Sequence, residues 1–306
     1  RARIKTAIYE TGYIPNAAAR SLRSRSTRQL SLVVDDIGNP AYIEIMRSVQ
    51  QVARQHGHRL LIQSTDGRLD EEVGILRDLA QHYADGLVLT STRFSPKLAH
   101  QLVSPAVPVV VIGSPPDELL VDAVGADARR GARDAVQHLL QRGSSQLAMI
   151  NGPAETLPAQ SRRAGFLDGC GAGGTSGAAD PVVVHAPDYT AEAGYHALAG
   201  LLDFSTPDGL LCANDQLAIG ALEACLDRGV EVPQQLAIAG MDDTREARLC
   251  RPTLTSVDLR FADRGRIAGQ MLLDRIQGRY DGPPRRVEVP TRLVPRDSTA
   301  REVARD

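Results

Sequence analysis

The chain has 306 residues, with 35 Lys and Arg against 37 Asp and Glu, and so carries a formal charge of −2. This length suits two domains, and a hydrophobic fraction of 42% is enough to build their cores. No apolar run reaches the roughly 18 residues of a membrane-spanning helix, and the basic start lacks the apolar stretch of a signal peptide. We therefore expect a cytoplasmic protein with no membrane partner.

The first 28 residues are strongly basic. They hold seven basic residues and one acidic residue, a formal charge of +6, so the other 278 residues carry −8. A short cationic segment attracts phosphate backbones by releasing counterions. It therefore predicts a small polyanion-binding element on an acidic globular body, with a solvated, unpartnered basic terminus as the alternative.

Two helical pieces are predicted within this basic segment. Residues 3–11 have the pattern of a helix end stopped by Gly12, and Asn16 is suited to cap a second helix at 17–23. A seven-residue helix is not stable alone in water, so its formation depends on a partner, and the flanking arginines favour DNA. Leu22 is the type of residue that minor-groove binders insert between base steps, although it could equally pack on the body of the chain.

After residue 28, apolar runs of strand length alternate with amphipathic helices. This alternation is typical of parallel sheets built from βαβ units and predicts an α/β fold with a ligand cleft at the carboxyl ends of the strands. The predicted strands are 30–35, 59–64, 86–90, 107–113, 146–151, 181–184, 209–213 and 236–240. The predicted helices are 42–56, 71–82, 96–102, 127–142, 161–168 and 216–228.

The cysteines, histidines and glycines indicate neither a metal nor a cofactor. The four cysteines show no C-x-x-C spacing, and Cys212 and Cys225 fall in a predicted strand and helix, so buried free thiols are expected. The seven histidines show no metal-ligand spacing. Residues 169–174 match G-x-G-x-x-G, but they follow a predicted helix instead of a strand, so we interpret them as a flexible surface loop.

No catalytic motif is present in the sequence. It contains no nucleophile elbow, no catalytic Cys/His pair and no metal motif, so we expect no enzyme. Polar residues just after strands are expected in any such fold, and Asp215 is interpreted as the N-cap of helix 216–228.

Several motifs in order along the chain resemble the LacI/GalR family of bacterial transcription regulators. Residues 13–22, Tyr-Ile-Pro-Asn-Ala-Ala-Ala-Arg-Ser-Leu, are similar to the family's hinge. The other matching motifs are Asn39-Pro40, the stretch 212–221 containing Ala-Asn-Asp-Gln, Gly240-Met241-Asp242-Asp243, 252–257 and Arg296-Asp297-Ser298-Thr299. The resemblance implies two Rossmann-like lobes, as in periplasmic binding proteins, preceded by a helical DNA-binding and hinge segment.

The resemblance also implies domain boundaries. The expected division is 1–28 for the remnant of a helix-turn-helix domain and the hinge helix, 29–125 with 261–288 for the first lobe, 126–260 with 289–299 for the second lobe, and 300–306 for a tail. The family's helix-turn-helix begins further upstream, and this chain starts at what resembles its third helix. The preceding helices are either missing because the sequence is truncated or absent from the protein itself, and the sequence does not distinguish these alternatives.

The family's functional positions carry over to residues of this sequence. The DNA-binding residues implied are Tyr13, Asn16, Ala19, Arg20, Leu22 and Arg23. The effector-binding residues implied are Tyr42, Asp66, Arg162, Tyr189, Asn214, Asp242 and Phe261. Core packing is an alternative for the three aromatic residues, and a plain turn is the alternative for Asp66. Arg162 offers a bidentate fork for a carboxylate, a phosphate or a pair of hydroxyls, whereas Arg163 is expected to face solvent.

The function implied is an effector-responsive, DNA-binding transcription regulator, a repressor, that acts as a homodimer. A sugar or polyol is the expected effector, and a nucleobase or a sugar phosphate is an alternative. Two other classes of protein remain: a sugar-binding receptor of periplasmic type without DNA function, and an enzyme that acts in the cleft.

Overall fold

A computed structural model describes residues 26–103, 105, 107–172 and 180–301. The candidate DNA-binding residues Tyr13, Asn16, Ala19, Arg20, Leu22 and Arg23 lie outside the described residues, as do the two helical pieces predicted around them. The described residues make up the globular body of the protein.

The first sheet has six strands, all paired in parallel, in the order β11-β5-β4-β3-β1-β2. Its strands are β1 (Gln29–Val34), β2 (Arg59–Ser64), β3 (Gly86–Thr90), β4 (Val109–Ile112), β5 (Asp122–Ala126) and β11 (Arg286–Val289). Every residue of β3 and β4 is buried, as expected for central strands that helices cover on both faces.

The second sheet also has six strands, in the order β12-β10-β9-β8-β6-β7. Its strands are β6 (Leu147–Asn151), β7 (Val182–His185), β8 (Gly209–Cys212), β9 (Ala237–Met241), β10 (Thr255–Asp258) and β12 (Arg292–Val294). The strands pair in parallel except β12, which runs antiparallel to β10. The structure thus confirms the expected α/β architecture of two Rossmann-like units.

Helices connect the strands of both sheets. Those described are α1 (Ala41–Gln55), α2 (Leu69–Asp78), α3 (Pro96–Val103), α4 (Ala128–Gln141), α5 (Leu157–Ala172), α6 (Ala191–Leu202), α7 (Asp215–Arg228), α8 (Arg245–Leu249) and α9 (Phe261–Ile276). Side chains of Asp127, Thr190, Asn214 and Thr244 accept backbone hydrogen bonds at the starts of α4, α6, α7 and α8. The starts of these four helices are therefore determined locally, by residues that are suited to N-caps.

The chain passes between the two sheets three times. It leaves the first sheet after β5, returns after β10 through α9, and leaves again between β11 and β12. Helix α9 packs against α1 and contributes Ala268, Leu272 and Leu273 to the core of the first sheet. The segment between β10 and β12 therefore belongs, by its packing, with the first sheet.

The cores lie on the faces of the sheets. Phe166 and Leu198 are fully buried in the core of the second sheet, and Ile45 and Leu89 lie in the two cores on opposite faces of the first. Cys212 and Cys225 are buried free thiols, as the sequence predicts. Among the described residues, no helix is long and apolar enough to cross a membrane.

Several elements differ from their prediction, and β5 and the end of α5 show why. Strand β5 was not predicted, because Asp122-Ala-Val-Gly-Ala is short and interrupted by polar and small residues. Its Asp122 accepts hydrogen bonds from Arg275 at 2.9 and 3.0 Å and from Arg285, so partners distant in sequence hold it in place. Residues 169–172 were predicted as loop but form the last turn of α5, where a Cβ on Gly169 would lie 2.6 Å from Val136 Cβ. The glycine thus permits close helix packing.

Candidate functional site: a charged cleft between two sheets

A cavity of about 510 Å³ lies where the carboxyl ends of the two sheets face each other. All seven candidate effector residues line it: Tyr42, Asp66, Arg162, Tyr189, Asn214, Asp242 and Phe261. Each lies in the loop after a strand or in the first two turns of the helix that follows it, and these segments all emerge at the carboxyl edges of the sheets. The cavity size falls within the range of small-molecule sites.

On the side of the second sheet, Arg162 and Asp242 form a buried charged pair. A guanidinium nitrogen of Arg162 lies 3.5 Å from Asp242 Oδ1, and its guanidinium carbon stands 5.8 Å from the centre of the Tyr189 ring. Burial raises the pKa of Asp242 to about 6, and the charges of Arg162 and Arg264 oppose the rise. The backbone of Asp242 has a φ of 115°, a strained conformation that directs its carboxylate toward the cavity.

Tyr189 is held by two contacts. Its hydroxyl lies 3.0 Å from Thr156 Oγ1, and its ring lies so close to Gly152 that a Cβ there would be 2.2 Å from the ring carbon. Gly152 therefore leaves the space in which the tyrosine ring supports Arg162.

Asn214, and not Asp215, is the N-cap of α7, which corrects the sequence interpretation. The Asn214 side chain accepts from the backbone N–H of Leu217 at 2.9 Å and donates to the carbonyl of Tyr189 at 3.1 Å. The prediction failed because both residue types are good caps, and only the position of the first helical turn distinguishes them. The fully buried Asn214 thus ties α7 to the loop that carries Tyr189.

Asp215 instead organises the loop that presents Asp242. Its carboxylate accepts from the backbone N–H and the hydroxyl of Thr244 at 2.7 and 3.0 Å and from the hydroxyl of Ser256 at 2.5 Å. Burial raises its pKa to about 8, and the negative charge of Asp242 adds to the rise. Three donors from two elements hold this acid directly behind the cleft.

On the side of the first sheet, acids dominate the cavity. Asp35 follows β1, and burial raises its pKa to about 6, with a hydrogen bond from Thr92 and the charge of Arg93 opposing the rise. Its Oδ1 is buried with no hydrogen-bond partner among the described residues. Asp66 lies in a turn with a φ of 51°, so it is both a turn former and a cavity residue.

The sequence interpretation missed Glu72, which lies behind this acidic side. Ser91 Oγ is 2.9 Å from Glu72 Oε2 and 2.7 Å from the carbonyl oxygen of Arg93. A hydroxyl has one hydrogen, so both contacts are hydrogen bonds at once only when Glu72 is protonated and donates to Ser91. Consistently, burial and then the charge of Asp35 raise the pKa of Glu72 to about 8.

It also missed Arg264, in the first turn of α9. Arg264 is buried with Ala268 and Leu272, which share its helix face at intervals of four residues. Its guanidinium carbon stands 5.0 Å from the centre of the Phe261 ring. A charged residue on an otherwise apolar helix face was a signal in the sequence that could have found it.

Two contacts join the sheets across the cavity wall. Arg93, after β3, pairs with Glu155 at 2.7 Å, and the backbone N–H of Leu157 donates to the carbonyl of Thr92 at 2.9 Å. Both connect the loop after β3 with the start of α5, which carries Arg162. The position of Arg162 is therefore linked to the relative position of the two sheets.

The described part of the chain holds no group of three or more His, Cys, Asp or Glu side chains that could bind a metal ion. The cavity instead offers guanidinium donors and carboxylate acceptors from both sheets. Such a set binds and orients a polar small molecule by hydrogen bonds and charge.

The comparisons with known proteins agree with this arrangement. A family profile described as periplasmic binding protein-like domain matches residues 136–299. The chain is similar to the ribose operon repressor of Halalkalibacterium halodurans, with 31% identity over 293 residues, 96% of this chain and 86% of the relative. It is similar to the HTH-type transcriptional repressor CytR of Escherichia coli K12, with 30% identity over 302 residues, 98% of this chain and 87% of the relative. Both relatives are named as repressors and neither as an enzyme.

Solved structures share the fold. A structure described as a complex of the transcriptional regulator CelR with cellobiose matches with a TM-score of 0.81 at 30% identity, covering 96% of this chain and 89% of that one. The lac repressor dimer bound to operator and the anti-inducer ONPF matches with a TM-score of 0.85 at 22% identity, covering 97% and 89%. At that identity the second match shows the fold alone.

Proposed function

The chain belongs to the LacI/GalR family of transcription regulators and has a periplasmic-binding-protein-like effector domain. We propose that it is a repressor that binds a sugar or polyol in the cleft and operator DNA through its basic segment. One observation carries the effector part: charged side chains of both sheets converge on one cavity of about 510 Å³. The relatives carry the DNA part, since those about 30% identical are transcriptional repressors by name.

The effector contacts in this proposal are the cavity residues Tyr42, Asp66, Arg162, Tyr189, Asn214, Asp242 and Phe261. Carboxylates accept hydrogen bonds from hydroxyls, an amide can accept or donate, and an arginine donates to a pair of acceptors. A sugar-type ligand is further supported by the relatives, one named for ribose and one described with cellobiose. The DNA contacts in the proposal are Tyr13, Asn16, Ala19, Arg20, Leu22 and Arg23; the charges of Arg20 and Arg23 suit a phosphate backbone.

The proposal divides the chain at the boundaries expected from the family: 1–28, 29–125 with 261–288, 126–260 with 289–299, and 300–306. The pairing of β11 with β5 and of β12 with β10 supports the two late crossings. Effector binding would bring the lobes together and change how the hinge segments of a homodimer meet DNA. The coupling between the sites of such regulators is typically about 1–3 kcal/mol. Acting on DNA, the protein would work in the cytoplasm, without catalysis.

Arg162→Ala tests the effector site. We expect binding of whichever sugar stabilises the native protein to weaken on the order of 50-fold, because charge-assisted hydrogen bonds in a buried site are lost. Isothermal titration calorimetry after a thermal-shift screen of sugars, polyols, sugar phosphates and purines would measure it. The matched control is Arg163→Ala, an exposed arginine one position along the same helix, which should leave affinity unchanged. Equal losses in both variants would contradict the assignment.

DNA binding and assembly need separate measurements. Selection of bound duplexes from a random DNA library, with and without the stabilising sugar, should yield a preferred site whose occupancy the sugar changes. Sedimentation equilibrium at micromolar concentration should give a dimer. Binding of a sugar without any DNA preference would favour a receptor of periplasmic type, and turnover of the sugar would favour an enzyme.

A further inference from the structure

Arg264 carries a buried charge that no carboxylate of the described residues pairs with directly. The residue is 8% exposed and lines the cavity from the first turn of α9. Among the residues that the structure describes, no carboxylate forms an ion pair with it, and its Nε has no hydrogen-bond partner. Burying a cation without a counter-charge costs a large amount of folding free energy. Such a residue is therefore a candidate for pairing with an anionic group of a ligand.

A second guanidinium shares this end of the cavity. Arg162 is also 8% exposed, its Nε is also unpartnered among the described residues, and Asp242 is its nearby carboxylate at 3.5 Å. The pKa of Arg264 is lowered to about 10, mainly by burial; Tyr42 and Asp242 oppose this lowering, and the charge of Arg162 contributes to it. Two positive charges and one negative charge therefore meet here, which leaves one positive charge to be neutralised.

The charged residues of the cavity form two groups of neighbours. The charged neighbours that shift the pKa of Asp35 are Arg93 and Asp36, whereas those that shift the pKa of Asp242 are Arg162 and Arg264. Arg93 is already engaged by Glu155 at 2.7 Å. The acids beside β1 and β2 thus offer hydroxyl acceptors, and the unmatched positive charge belongs to the group around Asp242.

The aromatic rings add support for an anion site at the arginine end. The guanidinium carbons of Arg162 and Arg264 stand 5.8 and 5.0 Å from the ring centres of Tyr189 and Phe261. Each ring supports an arginine by a cation–π contact and holds its fork in place. The rings of Tyr189 and Phe261 therefore help to orient the guanidinium donors of Arg162 and Arg264.

We propose that the effector is a sugar acid, an aldonate or uronate, whose carboxylate binds between Arg162 and Arg264 while its hydroxyls face Asp35 and Asp66. This inference rests on the proposed function and deepens it. A single carboxylate matches the one unmatched positive charge, and its two oxygens match the planar guanidinium forks. A phosphate monoester carries nearly twice that charge and would face the acids of the cavity with the excess.

Paired ligands test the proposal on the native full chain. The probes are D-gluconate against D-sorbitol, D-glucuronate against D-glucose, D-galacturonate against D-galactose, and glucose 6-phosphate, each in a thermal-shift titration followed by calorimetry. We expect at least one acid to bind on the order of 100-fold more tightly than its uncharged counterpart and than the phosphate. Preference for an uncharged sugar or the phosphate overturns the proposal and leaves sugar sensing intact. Absence of binding by all probes overturns both.

Variants of Arg264 provide a second test. Arg264→Met should remove the preference for the acid, and Arg264→Lys should retain only part of it, because lysine keeps the charge but not the fork. Arg264→Met should also raise the melting temperature of the ligand-free chain, since it removes an uncompensated buried charge. The control is Arg266→Met, an exposed arginine of the same helix, which should change neither quantity. A lower melting temperature of Arg264→Met relative to this control would show that the protein satisfies the charge itself and would overturn the proposal.

Discussion

The change that Glu72→Gln makes to the free energy of unfolding is expected to be about 4 kcal/mol more stabilising at pH 8 than at pH 4.5. Burial raises the pKa of Glu72 from 4.5 to about 8, so the folded state resists ionisation of this carboxyl over more than three pH units. Each unit corresponds to about 1.4 kcal/mol. Glutamine imitates the protonated acid, because its amide can donate to Ser91 as the carboxyl does.

The direction of the pH dependence follows from the raised pKa. Below pH 4.5 Glu72 is protonated in both the folded and the unfolded chain, and its contribution to stability is fully present. Between pH 4.5 and about 8 the unfolded chain loses the proton while the folded chain keeps it, so the free energy of unfolding falls as pH rises. Above pH 8 both states are ionised and the difference stays constant.

Urea unfolding of the native protein and the variant between pH 4.5 and 9 would measure this difference. Subtracting the two curves isolates Glu72, because Asp35 and Asp242, whose pKa values are raised to about 6, titrate in both proteins. Glu71→Gln is the matched control, since Glu71 is its exposed neighbour and pairs with Arg68 at 2.8 Å. Parallel curves for the native protein and Glu72→Gln would disprove a raised pKa.

Gly220→Ala is expected to destabilise the protein by about 3 kcal/mol or more. A Cβ at Gly220 of α7 would lie 1.8 Å from the carbonyl oxygen of Ala191 in α6, and 2.7 Å from the backbone nitrogen of Tyr195. The opposing glycine, Gly194, meets the backbone of Leu217 in the same way, at 2.2 Å. The atoms that each added Cβ would meet are backbone atoms, which cannot move aside as a side chain can, so α6 and α7 would have to move apart.

Gly200→Ala is the control for this substitution. Gly200 lies in α6, and a Cβ there meets no atom within 4 Å. The same change should therefore stabilise the helix by about 0.5–1 kcal/mol, since alanine loses less backbone entropy than glycine. Chemical unfolding of the two variants measures the contrast, and similar values for both would show that α6 and α7 are not packed at backbone distance.

Much of the fold was predictable because its signals are local. The strand 59–64 was predicted with its observed bounds, and β3 likewise at 86–90, because each is a short apolar run between turn residues. Helix α7 was predicted to within one residue at its start, and its end at Arg228 follows from Gly229 with a φ of 68°. Strand β5 escaped prediction because Asp122 depends on Arg275 and Arg285, more than 150 positions away.

The candidate site divides in the same way. The seven effector residues implied by the family resemblance all line the cavity, since each lies after a strand, in a loop or in the first two turns of a helix. Their role in binding stays a prediction. The hydrogen bonds of Asp215, in contrast, depend on where Thr244 and Ser256 lie, and no local pattern contains that information.

By itself the sequence determined the class of the protein. Hydrophobic periodicity, capping residues and ordered motifs act over short stretches of chain, and they predicted two α/β lobes, a basic segment and the family. The tertiary structure alone decided which charges meet. Burial beside groups from other elements raises the pKa of Glu72 to about 8 and lowers the pKa of Arg264 to about 10. The energy of a charge depends on its surroundings in space, and those surroundings are assembled from residues far apart in the chain.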